Sequence, residues 1–295
     1  MDFKNYQEKA LLSAQRPRDN QPEHLIERII PLLGLAGEAG ELLSEYKKHL
    51  RDGPAHKLFK SRIEEELGDL LWYISDLATK FGLNLDEIAA NNLRKVEERW
   101  LVNRTETGAY SFDSEFPEHE QLPRQFVFEI KEVHEGEEVR VKCFFNGEQI
   151  GNDLTDNAHE PDGYRFHDVF HFAHAAILGW SPVTRLILKR KRKSNKKTDE
   201  VEDGGRAIAI EEGVTALIFS YAEQHEYFDG ISELDYSLLK TILDLTQGLE
   251  VKNCSTGDWE KAILVGYAVW RQVVENEGGK IIGDIDKQTL TFEKN

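Results

Sequence analysis

The chain has 295 residues, 40% of them hydrophobic, and is long enough to bury more than one core. It carries 54 Asp plus Glu against 37 Lys plus Arg, a formal net charge of −17. That balance argues against broad electrostatic binding of DNA or RNA, which needs cationic surface, but it admits anionic substrates held through metal ions.

Residues 2–102 predict four helices. The first spans roughly Phe3–Gln15 and is broken by "RPRDNQP". The second runs from about Glu23 to Leu50, with Pro31 either kinking it or marking its true first turn. "RDGP" then stops it. The third is expected to start at Ser61, where "SRIE" reads as a capping box, and to end near "KFGLN". The fourth starts near Asn84 and runs past Trp100. Short connections favour an antiparallel bundle.

The second helix contains "LGLAGEAGEL", with Gly34, Gly37 and Gly40 in its interior, each costing about 1 kcal/mol relative to Ala. Seven residues make about two turns, so positions 0, 3 and 7 share a face. On the second helix these are Glu38, Glu41 and Glu45; on the third, Glu66, Asp69 and Tyr73, with Asp76 three further on; on the fourth, Asn92, Lys95 and Arg99. Apolar residues flank each polar stripe, so packing draws the carboxylates together, where they repel unless a cation neutralises them. Mg²⁺, a hard ion that takes carboxylate oxygens and keeps waters for a phosphate, suits them. Glycines there let a neighbouring backbone or a bulky ligand approach. Lone E-x-x-E pairs are common on solvated faces. Here the spacing recurs on the partner helix, and a basic face follows on the next.

Together, "GLAGEAGEL", "EEELGDLLWYISDLA" and "NLRKVEERW" resemble the MazG-like nucleoside triphosphate pyrophosphohydrolases of the all-α NTP pyrophosphatase superfamily. Glu38, Glu41, Glu66 and Asp69 match the family's E-x-x-E and E-x-x-D; Asn92, Lys95 and Arg99 match its later basic motif. The resemblance implies a Mg²⁺-dependent enzyme, with Mn²⁺ able to substitute, that splits the α–β phosphoanhydride into nucleoside monophosphate and pyrophosphate. Glu38 or Glu41 would take the proton of the attacking water, and Asn92, Lys95 and Arg99 would bind substrate, the cations neutralising phosphate oxygens. Lys48 can add charge, although a solvated lysine near a helix C-terminus explains it better. Trp72, Tyr73 and Trp100 can stack on a base or serve as core, and Asp76 extends the acidic stripe. The family also implies a homodimer or tetramer, with sites completed by a neighbouring chain.

Residues 103–123 are polar and aperiodic and read as a linker between a domain at 1–102 and a second at 124–295. In the second, "QFVFEIKEV" and "EEVRVKCFF" alternate like strands, "FNGEQIGNDL" carries an Asn-Gly hairpin signal, about four helices follow, and the tail "KIIGDIDKQTLTFEKN" reads as a closing strand pair. The expected fold is mainly α: an all-α bundle followed by an α+β domain with a short β-hairpin region. This part resembles the extra C-terminal domain of some MazG-like proteins. Its "FHDVFHFAH" places His167, His171 and His174 on one helical face beside Asp168. Such a face can hold a transition metal, but interior histidines bonded to neighbours such as Glu211 or Glu212 are the better expectation. "LKRKRKSNKK" holds seven cations in the nine residues Lys189–Lys197, expected as a solvated mobile loop, with docking of polyphosphate or nucleic acid the other reading.

No run approaches the roughly 18 apolar residues of a membrane span. The start "MDFKNYQEKALL" lacks the features of a signal peptide. Cys143 and Cys254 stand far apart. A cytoplasmic protein with reduced thiols is expected. Two other functional readings stand beside the hydrolase: a separate phosphohydrolase or metal site in the C-terminal domain, with the first part mainly oligomerising, and a non-enzymatic nucleotide sensor.

Overall fold

A computed structural model of the chain describes residues 1–14, 23–100, 110–136 and 138–294, with side chains for all of these except 23–27, 95, 97–100 and 135. Two compact units divide it, Met1–Glu97 and Glu98–Asn295. The first is all-α; the second is α+β.

The first unit comprises α1 (Phe3–Leu12), α2 (Glu23–Asp52), α3 (Phe59–Lys80) and α4 (Leu85–Trp100, which runs past the unit's end). Asp2 caps α1 through its side chain, which accepts the Asn5 N–H at 2.8 Å. Pro31 lies inside α2, which runs two residues past the expected Leu50 to Asp52 and stops before Gly53 and Pro54. The connection is a single 3₁₀ turn, Gly53–Ala55, so α2 and α3 form a hairpin. They run antiparallel: His49 stacks on Phe59 near the turn, with centroids 3.9 Å apart, while Gly34 meets Tyr73 farther along. That stacking corrects the expected start of α3. The helix begins at Phe59 with no side-chain cap, and Ser61 sits inside it. The tertiary contact outweighs the local capping preference. Asn84 does cap α4, accepting from the N–H groups of Asp86 and Glu87 at 2.8 and 3.4 Å. α1 lies along α3: Gln7 bonds Thr79, the Leu83 carbonyl and the Leu85 N–H, and the Trp72 indole N–H donates to Ser13 at 2.9 Å.

The second unit holds β1 (Gln125–Glu135), β2 (Glu138–Phe145), β3 (Glu148–Leu154), α5 (Asp168–Ala173), α6 (Pro182–Ile187), α7 (Lys196–Val201), α8 (Gly205–Glu223), α9 (Tyr236–Thr246), α10 (Thr256–Glu275), β4 (Gly278–Asp284) and β5 (Thr289–Glu293). The hairpin region expected there is larger than its sequence signal. The strands form one antiparallel sheet in the order β3-β2-β1-β4-β5, with the tail pair docked against β1. Asn146 and Gly147, both at positive φ, make the expected tight turn. Phe126, Phe128 and Ile130 alternate onto the buried face of β1, while Val127 faces out. Phe128 stacks on Phe172 of α5, with centroids 3.9 Å apart, joining the sheet to a core that includes Trp180, Trp259 and Tyr267.

From Tyr110 onward the stretch expected as a linker belongs to this unit, although residues 103–109 lie outside the described ones. Asp113, Glu120 and Leu122 are buried. Asp113 accepts from the Arg185 guanidinium at 2.6 Å, from the Leu122 N–H at 2.8 Å, and from Arg124. The basic run is bonded to the same stretch, which corrects the expectation of a mobile loop. Arg192 is fully buried and pairs with Asp203 and Glu250. Arg190 donates to the carbonyls of Glu118 and Gln121, and the Ser194 N–H donates to Glu120 at 2.9 Å. A polar, aperiodic segment and a cationic run each look solvated alone; together they are joined by hydrogen bonds from Arg190, Arg192 and Ser194.

Candidate active site of the first unit

The α2–α3 hairpin brings the acidic stripes together. One carboxylate oxygen from each of Glu38, Glu66 and Asp69 lies within 4.8 Å of the others. Glu38 and Glu66 are half-buried, and Asp69 is exposed. Partial burial, followed by the charges of Glu38, Glu41, Glu65 and Asp69, pushes the Glu66 carboxyl above its usual range. Glu41 therefore lies near enough to be felt by Glu66, but it is exposed and outside the tight trio. Tyr6 of α1, which carries no motif, has its phenol raised by burial and then by Asp69, so α1 closes one side of the cluster. Three carboxylates this close, with one of them already resisting ionisation, form a donor set that a hard divalent cation fits.

The glycines divide. A Cβ at Gly34 would fall 2.2 Å from the Tyr73 ring, whereas at Gly37 and Gly40 it would meet no described atom within 4 Å. Only Gly34 is explained by helix packing; the other two leave open space beside Glu38 and Glu41. Tyr73 is thus wedged on α2, edge-on to Trp72 at 5.0 Å, and Trp72 is tied to Ser13. Both aromatics act as structure within this chain.

The rest of the expected site is dispersed. Glu45 is buried one turn beyond Glu41, where its carboxylate accepts from the Lys48 ammonium and sits 3.2 Å from His56 Nε2. Lys48 is therefore engaged by its own helix. The buried Asp76 accepts from Lys80 at 2.7 Å through one oxygen, while the other has no partner among the described residues. Asn92 is exposed on α4. The side chains of Lys95, Arg99 and Trp100 lie outside the described residues.

In the second unit, the histidines are interior, as expected. His171 and His174 each direct Nδ1 at Glu211 Oε1, at 3.0 and 3.1 Å. Glu211 also accepts from the Ser181 hydroxyl at 2.8 Å and the Val183 N–H at 2.9 Å.

The MazG nucleotide pyrophosphohydrolase domain matches residues 29–100, and the MazG C-terminal domain matches residues 107–295. The chain belongs to the MazG family. Its matched N-terminal segment contains all four carboxylates, α3 and α2 from residue 29 onward, and the C-terminal match begins within the stretch expected as a linker. The chain is also 38% identical over 69 residues to the "Gene 37 protein" of Mycobacterium phage L5; the aligned part is 23% of this chain and 60% of that relative. No solved structure matches the chain. Among the described residues no helix is long and apolar enough to cross a membrane.

Proposed function

We propose that the first unit hydrolyses nucleoside triphosphates at the α–β phosphoanhydride, releasing nucleoside monophosphate and pyrophosphate. The observation that carries this reading is the convergence of Glu38, Glu66 and Asp69 inside the segment matched by a nucleotide pyrophosphohydrolase domain. Glu38, Glu66 and Asp69, with Glu41 beside them, would hold Mg²⁺, or Mn²⁺ in its place. The ion supplies charge neutralisation for the polyphosphate and lowers the pKa of a bound water. Glu41 is the better general base of the two candidates: exposed and outside the trio, it keeps a carboxylate oxygen free to accept the proton from the attacking water. Asn92, Lys95 and Arg99 would bind the phosphates, with Arg offering a fork suited to them. The open space over Gly37 and Gly40 admits substrate close to the α2 backbone.

A homodimer or tetramer is part of the proposal. Among the described residues of the first unit the buried apolar ones are Ala10, Ala78 and Leu85, while Leu33, Leu43 and Leu50 are each about 70% exposed. Apolar surface on this scale marks an association face. Cys143 and Cys254 are buried free thiols, compatible with a cytoplasmic setting. The test is a Mg²⁺-dependent assay with a triphosphate, its products separated by chromatography: monophosphate and pyrophosphate support the reading, and diphosphate with orthophosphate opposes it.

A further inference from the structure

We propose that the second unit holds a metal site of its own, built from His167, Asp168 and His171 with Glu212, that takes a divalent transition ion such as Zn²⁺. This site is independent of the carboxylates of the first unit.

The tautomers are fixed by what the rings bond. His167 Nδ1 lies 2.8 Å from the Tyr164 carbonyl, which only accepts, so Nδ1 carries the proton. His171 Nδ1 faces Glu211 Oε1, a carboxylate already receiving a hydroxyl and a backbone N–H, so it too is the donor. Against its burial, Glu211 and Glu212 hold the His171 imidazole up to about 10, so an ion here would displace its Nε2 proton; in that metal-binding form each ring turns an Nε2 lone pair the other way. His167 Nε2 lies 3.9 Å from Asp168 Oδ1, and His171 Nε2 lies 3.4 Å from Glu212 Oε2. One ligand atom each from His167, Asp168 and His171 falls within 4.8 Å of the others.

With that proton displaced, every atom facing this space is an acceptor. His171 is completely buried, and among the described residues its Nε2 has only the 3.4 Å ion-pair contact with Glu212. Asp168 is also buried, with His167 Nε2 beyond hydrogen-bond distance of its Oδ1 at 3.9 Å. Buried polar atoms without partners are costly, and a cation satisfies all of them together. Bonds of about 2.1 Å in a tetrahedral site put neighbouring ligand atoms about 3.4 Å apart, close to the His171–Glu212 separation. Two imidazoles with carboxylates suit Zn²⁺ or a neighbouring first-row ion better than Mg²⁺. The Nδ1 contacts to a carbonyl and a carboxylate are the outer partners that metal-bound histidines generally have. Glu212, half-exposed, is the ligand that meets solvent. His174 is not a member: it points Nδ1 at Glu211 at hydrogen-bond distance.

The experiment uses the full chain carrying Glu38→Gln and Glu66→Gln, so that transition-ion binding reports on the second unit. After dialysis against Zn²⁺ with excess Mg²⁺, elemental analysis is expected to find one Zn²⁺ per chain. Adding Asp168→Asn or His167→Gln should weaken Zn²⁺ by more than about 100-fold, beyond the 10–100-fold that outer partners contribute. If those variants fail to fold, X-ray absorption on the Zn²⁺-loaded chain decides: two imidazole nitrogens are expected. Absence of bound Zn²⁺, oxygen-only ligation, or unchanged affinity in folded Asp168→Asn and His167→Gln would overturn the proposal and leave a hydrogen-bonded hub.

Discussion

Gly34 and its two neighbours in α2 separate packing from function at single positions. Gly34→Ala puts a methyl into the Tyr73 ring and should destabilise the first unit by about 1–3 kcal/mol. Gly37→Ala and Gly40→Ala meet no described atom and should each stabilise α2 by up to about 1 kcal/mol. If substrate uses the space above them, Gly37→Ala should nonetheless lower turnover. Thermal unfolding and an activity assay on the same three variants check both halves; a Gly34→Ala chain as stable as the parent contradicts the packing account. The carboxylates were legible in the sequence because helical spacing alone puts Glu38, Glu66 and Asp69 on facing stripes. Tyr6 and His56 were not, since their roles depend on where α1 and the 3₁₀ turn lie in space.

At the scale of elements, the segment around Asp113 is the clearest departure from local reading. Its composition is that of a linker, yet burial works against ionised Asp113 while Arg185, the Leu122 N–H and Arg124 together hold its carboxyl below the usual range. These partners lie up to 72 residues away in sequence, out of reach of any local pattern. Removing one member of a buried pair typically costs about 3–5 kcal/mol, so Asp113→Ala should lower the stability of the second unit by about that amount. Because the folded pKa is depressed, the contribution is complete above the unfolded value of about 3.8 and is lost as pH falls through the lower folded value. Asp113→Ala should therefore flatten the acid limb of a denaturation-versus-pH series; an unchanged limb contradicts the pairing. The helices and strands with strong period were legible, and so was the Asn146–Gly147 turn. The start of α3 was not, because His49 and Phe59 decide it across the hairpin.

For the whole molecule, the two units differ in how they satisfy their apolar residues. The second encloses a large aromatic core; the first leaves leucines of α2 and α3 exposed. The full chain should accordingly sediment as a dimer or tetramer, and Leu43→Glu should shift it toward monomer and reduce turnover. A monomeric parent chain with full activity contradicts this. Because Asp113 is buried in the second unit, a first-unit chain is best ended before Tyr110.

The central claim concerns which bond the Glu38–Glu66–Asp69 cluster opens. The direct measurement incubates a nucleoside triphosphate, Mg²⁺ and the full chain, resolves the products, and repeats this with Glu38→Gln. Monophosphate and pyrophosphate from the parent are predicted, with turnover lost by at least about 100-fold in a Glu38→Gln chain that keeps its fold. Diphosphate and orthophosphate as products, or undiminished turnover in Glu38→Gln, would contradict it.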